Sequence, residues 1–192
     1  ANSTVELGVN TLTLGSGTTS ATFAGVINGS GGLIKTGTSI FTLNGANTYS
    51  GGTQLAGGGL VLGNNDALGT GTLSVTGNAS LDNVQARTIT NDIVLNTSQI
   101  LTIIGSDTLT LSGLISGGGG LNKEGHATLT LNAANTYTGA TAITGGTLAL
   151  GSGGGLPGSG KLSLVGSCAP LFLFACCHRT FRVLSGFSGC QL

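Results

Sequence analysis

The chain has 192 residues, of which 39% are hydrophobic, only 6% are charged and 37 are glycine. This composition favours a packed chain over a disordered one, which combines low hydrophobicity with high charge, and it disfavours amphipathic surface helices, which need many charged residues. Six basic residues balance six acidic ones, so no electrostatic footprint for nucleic acid or an anionic membrane is present. The dominant residue types favour short strands and tight turns, and we predict an all-β protein.

The first ten residues, ANSTVELGVN, contain no basic segment followed by an apolar one, which is the pattern of a secretory signal peptide. The chain also contains no methionine. We therefore expect the sequence to be an internal part of a longer protein, with any export signal further upstream.

The first strongly patterned segment covers residues 25–68. Apolar side chains alternate with other residues at Phe41 and Leu43, and again at Leu60 and Leu62. A period of two is typical of strands that bury one face. We predict that these four side chains belong to the core.

The sequence GANTYSGGT lies between these strands and is interpreted as a corner. Asn47 is expected to adopt a left-handed turn conformation or to hydrogen-bond its own backbone. Tyr49 is expected to cover the turn with apolar area. A functional alternative is that the tyrosine of this motif serves as a platform on which a sugar ring stacks.

Further short strands are predicted near residues 73–75, 93–95, 100–104 and 109–111. The same region holds the densest group of charged residues, Asp82, Arg87 and Asp92. Clustered carboxylates beside a basic residue would suit a polysaccharide-cleaving site, whereas charged residues at turns are the more ordinary explanation. We predict no catalytic residue here.

Residues 113–156 repeat residues 25–68 at an offset of 88 positions, without a gap and with about half of the positions identical. The likeness continues on both sides of an inserted Pro157, so the clear copies are 25–75 and 113–164. The second copy supplies the equivalent core residues Leu129, Leu131, Leu148 and Leu150 and the equivalent corner residues Asn135 and Tyr137.

Residues 155–161 read GLPGSGK and match the spacing of a phosphate-binding loop. The next residue is Leu162, where binding of Mg²⁺ would require Ser or Thr, and no helix is predicted to follow. We interpret this stretch as a turn before a strand and predict no cofactor.

The composition changes abruptly after residue 166, because the last 25 residues hold all four cysteines and four of the six phenylalanines. The apolar stretch 169–177 is far shorter than the ~20 residues that span a bilayer. The cysteines lack a zinc-binding C-x-x-C spacing. We predict two regions, a repeat region at 1–166 and an irregular tail at 167–192, with no metal site.

Self-similar short strands favour a solenoid over a sandwich or a barrel, because each coil must place similar residues above the previous coil. With roughly 20 residues per coil, about eight coils stacked at ~4.8 Å would form a rod about 40 Å long. Its interior would be filled by ladders of Leu, Ile and Val.

Residues 119–151 contain GGL, Lys, Gly, TLTL, NTYTG and GGTL in order, and residues 31–63 contain GGL, Lys, Gly, FTL, NTYSG and GGGL at the same positions. In this they resemble the passenger-associated transport repeat, also called the autotransporter-associated β-strand repeat. The resemblance implies a right-handed parallel β-helix that leaves the cell through the outer membrane beside a C-terminal β-barrel translocator. It further implies a location outside a Gram-negative bacterium, secreted or on its surface.

Three functions follow from this sequence. The first is a structural passenger stalk that supports secretion and surface display, and it is our prediction. The second is an adhesin whose exposed Asn, Thr and Tyr side chains bind a host surface or glycan, or whose rods self-associate. The third is a polysaccharide-degrading β-helix enzyme. We predict no catalytic activity, no cofactor and no nucleic-acid partner.

Overall fold

The computed structural model describes residues 3–158 and 161–164. Regular structure in these residues consists of strands, without a helix. The strands are β1 (Thr4–Glu6), β2 (Leu12–Leu14), β3 (Ala21–Phe23), β4 (Val26–Asn28), β5 (Leu33–Lys35), β6 (Ile40–Leu43), β7 (Thr53–Leu55), β8 (Gly59–Leu62), β9 (Leu73–Val75), β10 (Ala79–Asn83), β11 (Arg87–Ile89), β12 (Ile93–Leu95), β13 (Ile100–Ile103), β14 (Leu109–Leu111), β15 (Ile115–Gly117), β16 (Gly120–Lys123), β17 (Thr128–Leu131), β18 (Thr141–Ile143), β19 (Thr147–Leu150) and β20 (Leu162–Leu164).

The chain winds in coils that pass along three sides in a constant order. The first side is a six-stranded sheet of β2, β5, β7, β9, β12 and β15; the second is an eight-stranded sheet of β3, β6, β8, β10, β13, β16, β18 and β20. The third side is a four-stranded sheet of β11, β14, β17 and β19. Toward the N-terminus this third side is continued by the β1–β4 pair and by the segments around Asn47 and Ala67.

Pairing between coils is parallel and local. Each inner strand of the eight-stranded sheet pairs with the strands one coil before and one coil after it, as in the run Leu81, Ile103, Lys123 and Ile143. Parallel strands need a crossover between them, and here the crossover is the remainder of one coil. The predicted parallel β-solenoid is confirmed, with eight coils counted along its longest sheet.

The core runs along the axis of the rod. Strand side chains alternate between buried and partly exposed positions, for example in β9, β12 and β14. Inward residues of successive coils therefore stack, and columns such as Ile89, Leu111, Leu131 and Leu150 are buried almost completely. Burying apolar area in this way is the main favourable contribution to folding.

Equivalent residues of the two repeat copies lie on different sides of the rod. Four steps of strand pairing carry Leu33 to Ile115 on the six-stranded side. Leu121, the equivalent of Leu33 in the second copy, lies six residues beyond Ile115 and belongs to the eight-stranded sheet. The 88-residue offset thus corresponds to four coils plus one side, and the second copy is rotated by one side relative to the first.

The described residues contain no helix of a length and hydropathy that would cross a membrane. The irregular tail predicted at 167–192 lies outside the described residues. The boundary between the two predicted regions therefore stays a prediction.

Candidate functional site

The structure places most of the expected core residues inside the solenoid. Leu43, Leu60, Leu62, Leu129, Leu131, Leu148 and Leu150 are all buried. Phe41 is only half-buried, which differs from the expectation. It stacks between Leu60 and the exposed Ala21 of the preceding coil, and the small alanine leaves part of the ring uncovered.

The corner asparagines join neighbouring coils. Asn47 Oδ1 accepts a hydrogen bond from the Ile27 amide at 2.8 Å, and its Nδ2 donates to the Ala67 carbonyl at 2.6 Å. These partners lie 20 residues before and 20 residues after it. Asn135 bonds in the same way to the Ile115 amide and the Gly155 carbonyl.

The expected local role of these asparagines is therefore wrong. Neither has a positive φ, since Ser98 is the one non-glycine residue with a positive φ in the described part of the chain. Their side chains bond the backbone of the coils above and below instead of their own. A buried amide can satisfy an N–H and a C=O at once, and in a solenoid both groups come from adjacent coils.

The corner tyrosines lie inside the rod. Tyr49 and Tyr137 have 0% exposed area, and their hydroxyls share hydrogen bonds with Thr53 Oγ1 at 2.5 Å and Thr141 Oγ1 at 2.6 Å. Burial raises the pKa of Tyr49 to about 12, although the hydrogen bond between Tyr49 and Thr53 opposes the shift, and burial raises the pKa of Tyr137 in the same way. Neither ring is accessible for stacking on a sugar, so that alternative is wrong, and covering of the turn by the rings stays a prediction.

A second set of buried polar residues escaped the sequence analysis. Lys35 and Lys123, at equivalent positions of the two copies, have 0% exposed area. Lys35 Nζ donates to the carbonyl of Thr36 at 2.7 Å and, more weakly, to that of Gly57 at 3.4 Å. Lys123 Nζ donates to the carbonyls of Glu124, Gly125 and Gly145.

Glycine turns from three successive coils enclose each ammonium group. A Cβ added to Gly105 or Gly146 would lie 2.7 or 2.9 Å from Lys123 Nζ, and one added to Gly58 would lie 2.8 Å from Lys35 Nζ. These glycines have positive φ, which a residue with a side chain rarely adopts. We call each arrangement, one lysine with its enclosing glycine turns, a lysine cage.

Each lysine cage holds a cation away from water. Burial lowers the pKa of Lys35. Burial also lowers the pKa of Lys123, and the negative charges of Asp82 and Glu124 oppose part of that shift. The sequence does indicate that these lysines are buried, because a lysine stands at an inward position of the alternating segment in each copy, LIK in the first and LNK in the second.

Burial of the lysines leaves the outside of the described solenoid acidic. Its six carboxylates face only two cationic side chains outside the core, Arg87 and Lys161, because Arg179 and Arg182 lie outside the described residues. The balanced net charge of the sequence therefore does not represent this surface.

The charged group Asp82, Arg87 and Asp92 does not converge on a substrate position. Asp82 accepts hydrogen bonds from the amide and hydroxyl of Ser106 at 3.0 and 2.6 Å, and Asp92 accepts one from the Leu114 amide at 2.8 Å. The Arg87 guanidinium donates to a backbone carbonyl of the preceding coil. Each group joins two coils, which is a structural use.

A metal site and a phosphate-binding loop are the two other kinds of site that the sequence brought into question. Among the described residues no three His, Cys, Asp or Glu side chains come together as a metal site. The stretch 155–161 leads directly into β20, which pairs with β18, so it precedes a strand and not the helix that a phosphate-binding loop requires.

Comparison with known proteins identifies the repeated segments. The family model named passenger-associated-transport-repeat matches residues 33–62 and 121–150, which run from β5 to β8 and from β16 to β19. An adhesin named BmaC autotransporter, from Brucella suis biovar 1 (strain 1330), is 41% identical over 98 residues. The match covers 49% of this chain and 3% of that relative. No solved structure matches the chain.

The matched segments contain the buried residues described above, including one lysine, one corner asparagine and one corner tyrosine in each copy. The resemblance seen in the sequence is confirmed by the family match. Two segments of this chain thus match the passenger-associated transport repeat, and the chain is similar to a short part of an autotransporter adhesin.

Proposed function

We propose that this chain is a segment of a passenger stalk that is exported by a Gram-negative bacterium and displayed at its surface. In the complete protein its partner would be an outer-membrane translocator. The stalk aids secretion because it folds coil by coil as it emerges. The observation that carries the proposal is the locality of strand pairing together with the two transport repeats.

Local pairing suits folding during export. The partner of each strand lies one coil away, as for β16, which pairs with β13 and β18. A coil can therefore bury its apolar residues as soon as the next coil has emerged, without waiting for distant sequence. Each added coil makes return of the chain through a narrow pore less favourable, because the buried apolar area would have to be exposed again.

The test places a charge in the core of the complete parent protein. Leu129→Asp and Leu131→Asp together put two carboxylates at fully buried positions of β17. An unpaired buried charge costs several kcal/mol, so we expect surface delivery to fall strongly. Delivery is measured by antibody labelling and by protease accessibility on intact cells.

The matched control is Thr130→Asp in the same strand. Thr130 lies between the two leucines and points away from the core, so its replacement adds one carboxylate to the same strand without burying it in the core. We expect this variant to reach the surface at the level of the unchanged protein. Undiminished delivery of the double leucine variant would contradict a role of coil folding in export.

Adhesion is the second candidate function, and the name of the similar Brucella protein favours it. Its surface would be made of uncharged outward residues, such as the aligned Thr88, Thr110 and Thr130 of the four-stranded sheet. Binding of the purified full chain to a glycan array, and its self-association by sedimentation, test this candidate. Binding that Thr110→Lys abolishes would support adhesion, and the absence of any binding would leave the stalk alone.

Catalysis is not part of the proposal. The carboxylates Asp82 and Asp92 accept hydrogen bonds from backbone amides of the following coil, which gives them a structural use. Release of reducing ends from polysaccharides by the purified chain would overturn this part of the proposal.

A further inference from the structure

The apolar columns of the solenoid allow more than one alignment of neighbouring coils. Leu, Ile and Val follow one another along each inward column, as in Leu55, Val75 and Leu95. A slip of two residues between adjacent strands keeps every inward side chain inward, because the side-chain period of a strand is two. The leucine ladder by itself therefore separates the native alignment only weakly from slipped ones.

The lysine cages differ from the apolar columns, because a lysine cannot be exchanged for an apolar neighbour. Lys123 stands in a column with Ile103 and Ile143, and Lys35 stands in a column with Leu14 and Leu55. Each lysine is thus the one cation among apolar neighbours. Its ammonium fits because glycine turns pass it in the coils before and after.

A slip would remove this fit. Moving β18 by two residues relative to β16 displaces the next coil by about 6.6 Å along the strand. The Gly145 carbonyl would leave Lys123 Nζ, and Thr144 or Leu148 would come to the place of Gly146. The slipped state would then bury a cation with fewer acceptors and with a side chain crowded against it, which is costly.

We infer that Lys35 and Lys123 set the alignment of the coils, so that each transport repeat carries one internal register marker. The marker acts by penalising slipped alignments and contributes little to the stability of the native one. A buried ion can specify one structure at a cost in stability, as polar core residues do in coiled coils. The inference concerns folding of the rod and does not depend on its role in export.

The experiment compares the full chain with its Lys123→Met variant by NMR under reducing conditions. Methionine fills similar volume without charge. We expect the variant to keep its β-sheet circular dichroism and a thermal midpoint at or above that of the unchanged chain. We also expect a second set of amide signals for β13, β16 and β18, with at least about a tenth of the total intensity, which corresponds to slipped forms within about 1.4 kcal/mol.

Two matched variants complete the test. Leu121→Met changes a buried apolar residue of the same strand, and we expect it to show one set of signals. Lys35→Met should double the signals of β2, β5 and β7 and leave those of β16 and β18 single, because the two cages lie on different coils.

Two results would overturn the inference. One is a single set of signals in Lys123→Met, with native contacts between β16 and β18. The other is complete loss of structure in that variant while Leu121→Met stays folded, because the lysine would then be needed for stability and not for alignment. Secretion of the parent protein is not part of the readout, so failure here and failure of the stalk proposal are separable.

Discussion

At the scale of single residues, the corner asparagines connect three coils through one side chain. Asn47 receives a hydrogen bond from the coil before it and donates one to the coil after it. Both partners are backbone groups that its removal would leave without a bond. Leaving a buried polar group unsatisfied costs about 1–3 kcal/mol.

We therefore predict that Asn47→Ala lowers the free energy of unfolding by about 2–4 kcal/mol, because two buried backbone groups lose their partner. Urea unfolding followed by circular dichroism measures the change. Asn96→Ala, at an exposed position, is the control and should stay within about 0.5 kcal/mol of the unchanged chain. Equal stabilities for the two variants would show that water replaces the lost bonds.

The buried tyrosines predict a loss of stability at high pH. The pKa of Tyr49 is about 12 in the folded chain, against an ordinary value of 10.0. The unfolded chain therefore releases this proton first, and the folded state becomes less favourable as pH rises from 10 to 12. The shift corresponds to about 2–3 kcal/mol.

The measurement is the free energy of unfolding across this pH window for the unchanged chain and for Tyr49→Phe, which removes the ionisable group. The variant should lose less stability between pH 10 and 12. Lys35 and Lys123 change the free energy of unfolding in the opposite direction. Because their pKa values are lowered in the folded chain, the folded state becomes more favourable as pH rises toward 10.5. A pH profile that is the same in both chains would contradict the assigned burial of the tyrosine.

At the scale of strands and turns, the alternating patterns predicted nine of the twenty strands in the described residues. The expected strands at 73–75, 93–95 and 109–111 coincide with β9, β12 and β14. The period of two is a local property of the sequence, so it can be recognised without knowing the neighbours. Turn conformations were less predictable, since many glycines compete for each positive-φ position.

Gly58 is the turn glycine with the clearest requirement. Its φ is +65°, and an added Cβ would lie 2.3 Å from the Ser39 carbonyl oxygen. We predict that Gly58→Ala lowers the free energy of unfolding by about 2–4 kcal/mol, through backbone strain and this contact.

Gly17→Ala is the control for that change, because a Cβ there meets nothing within 4 Å. We expect it to be neutral or stabilising by up to about 1 kcal/mol. Chemical denaturation of both variants measures the difference. A harmless Gly58→Ala would mean that the turn can relax, and the lysine cage with it.

At the scale of the whole molecule, the solenoid is a stack in which each coil contacts its neighbours. The coil of β2 and β3 has a neighbour on one side in this chain, and its strands are largely exposed or half-buried. The central strands β10 and β13 are covered from both sides. Local opening should therefore cost less at the first coil than in the middle.

We predict that native-state hydrogen exchange is fastest in β2 and β3 and slowest in β10 and β13. Mass spectrometry of peptic peptides can measure the rates coil by coil. Leu81→Ala, which creates a cavity in the middle, should speed exchange in β8, β10 and β13 before it affects the first coil. Uniform exchange along the rod would indicate a single cooperative unit.

The sequence by itself determined the all-β class, part of the strands and the repeat, because alternation and self-similarity are recorded in the order of residues. The resemblance to the transport repeat followed from the same residues and was confirmed. The tertiary structure decided which side each copy occupies, since 88 residues are not a whole number of coils. It also decided that Tyr49, Asn47 and Lys35 are buried, because their surroundings are supplied by coils about 20 residues away in the chain.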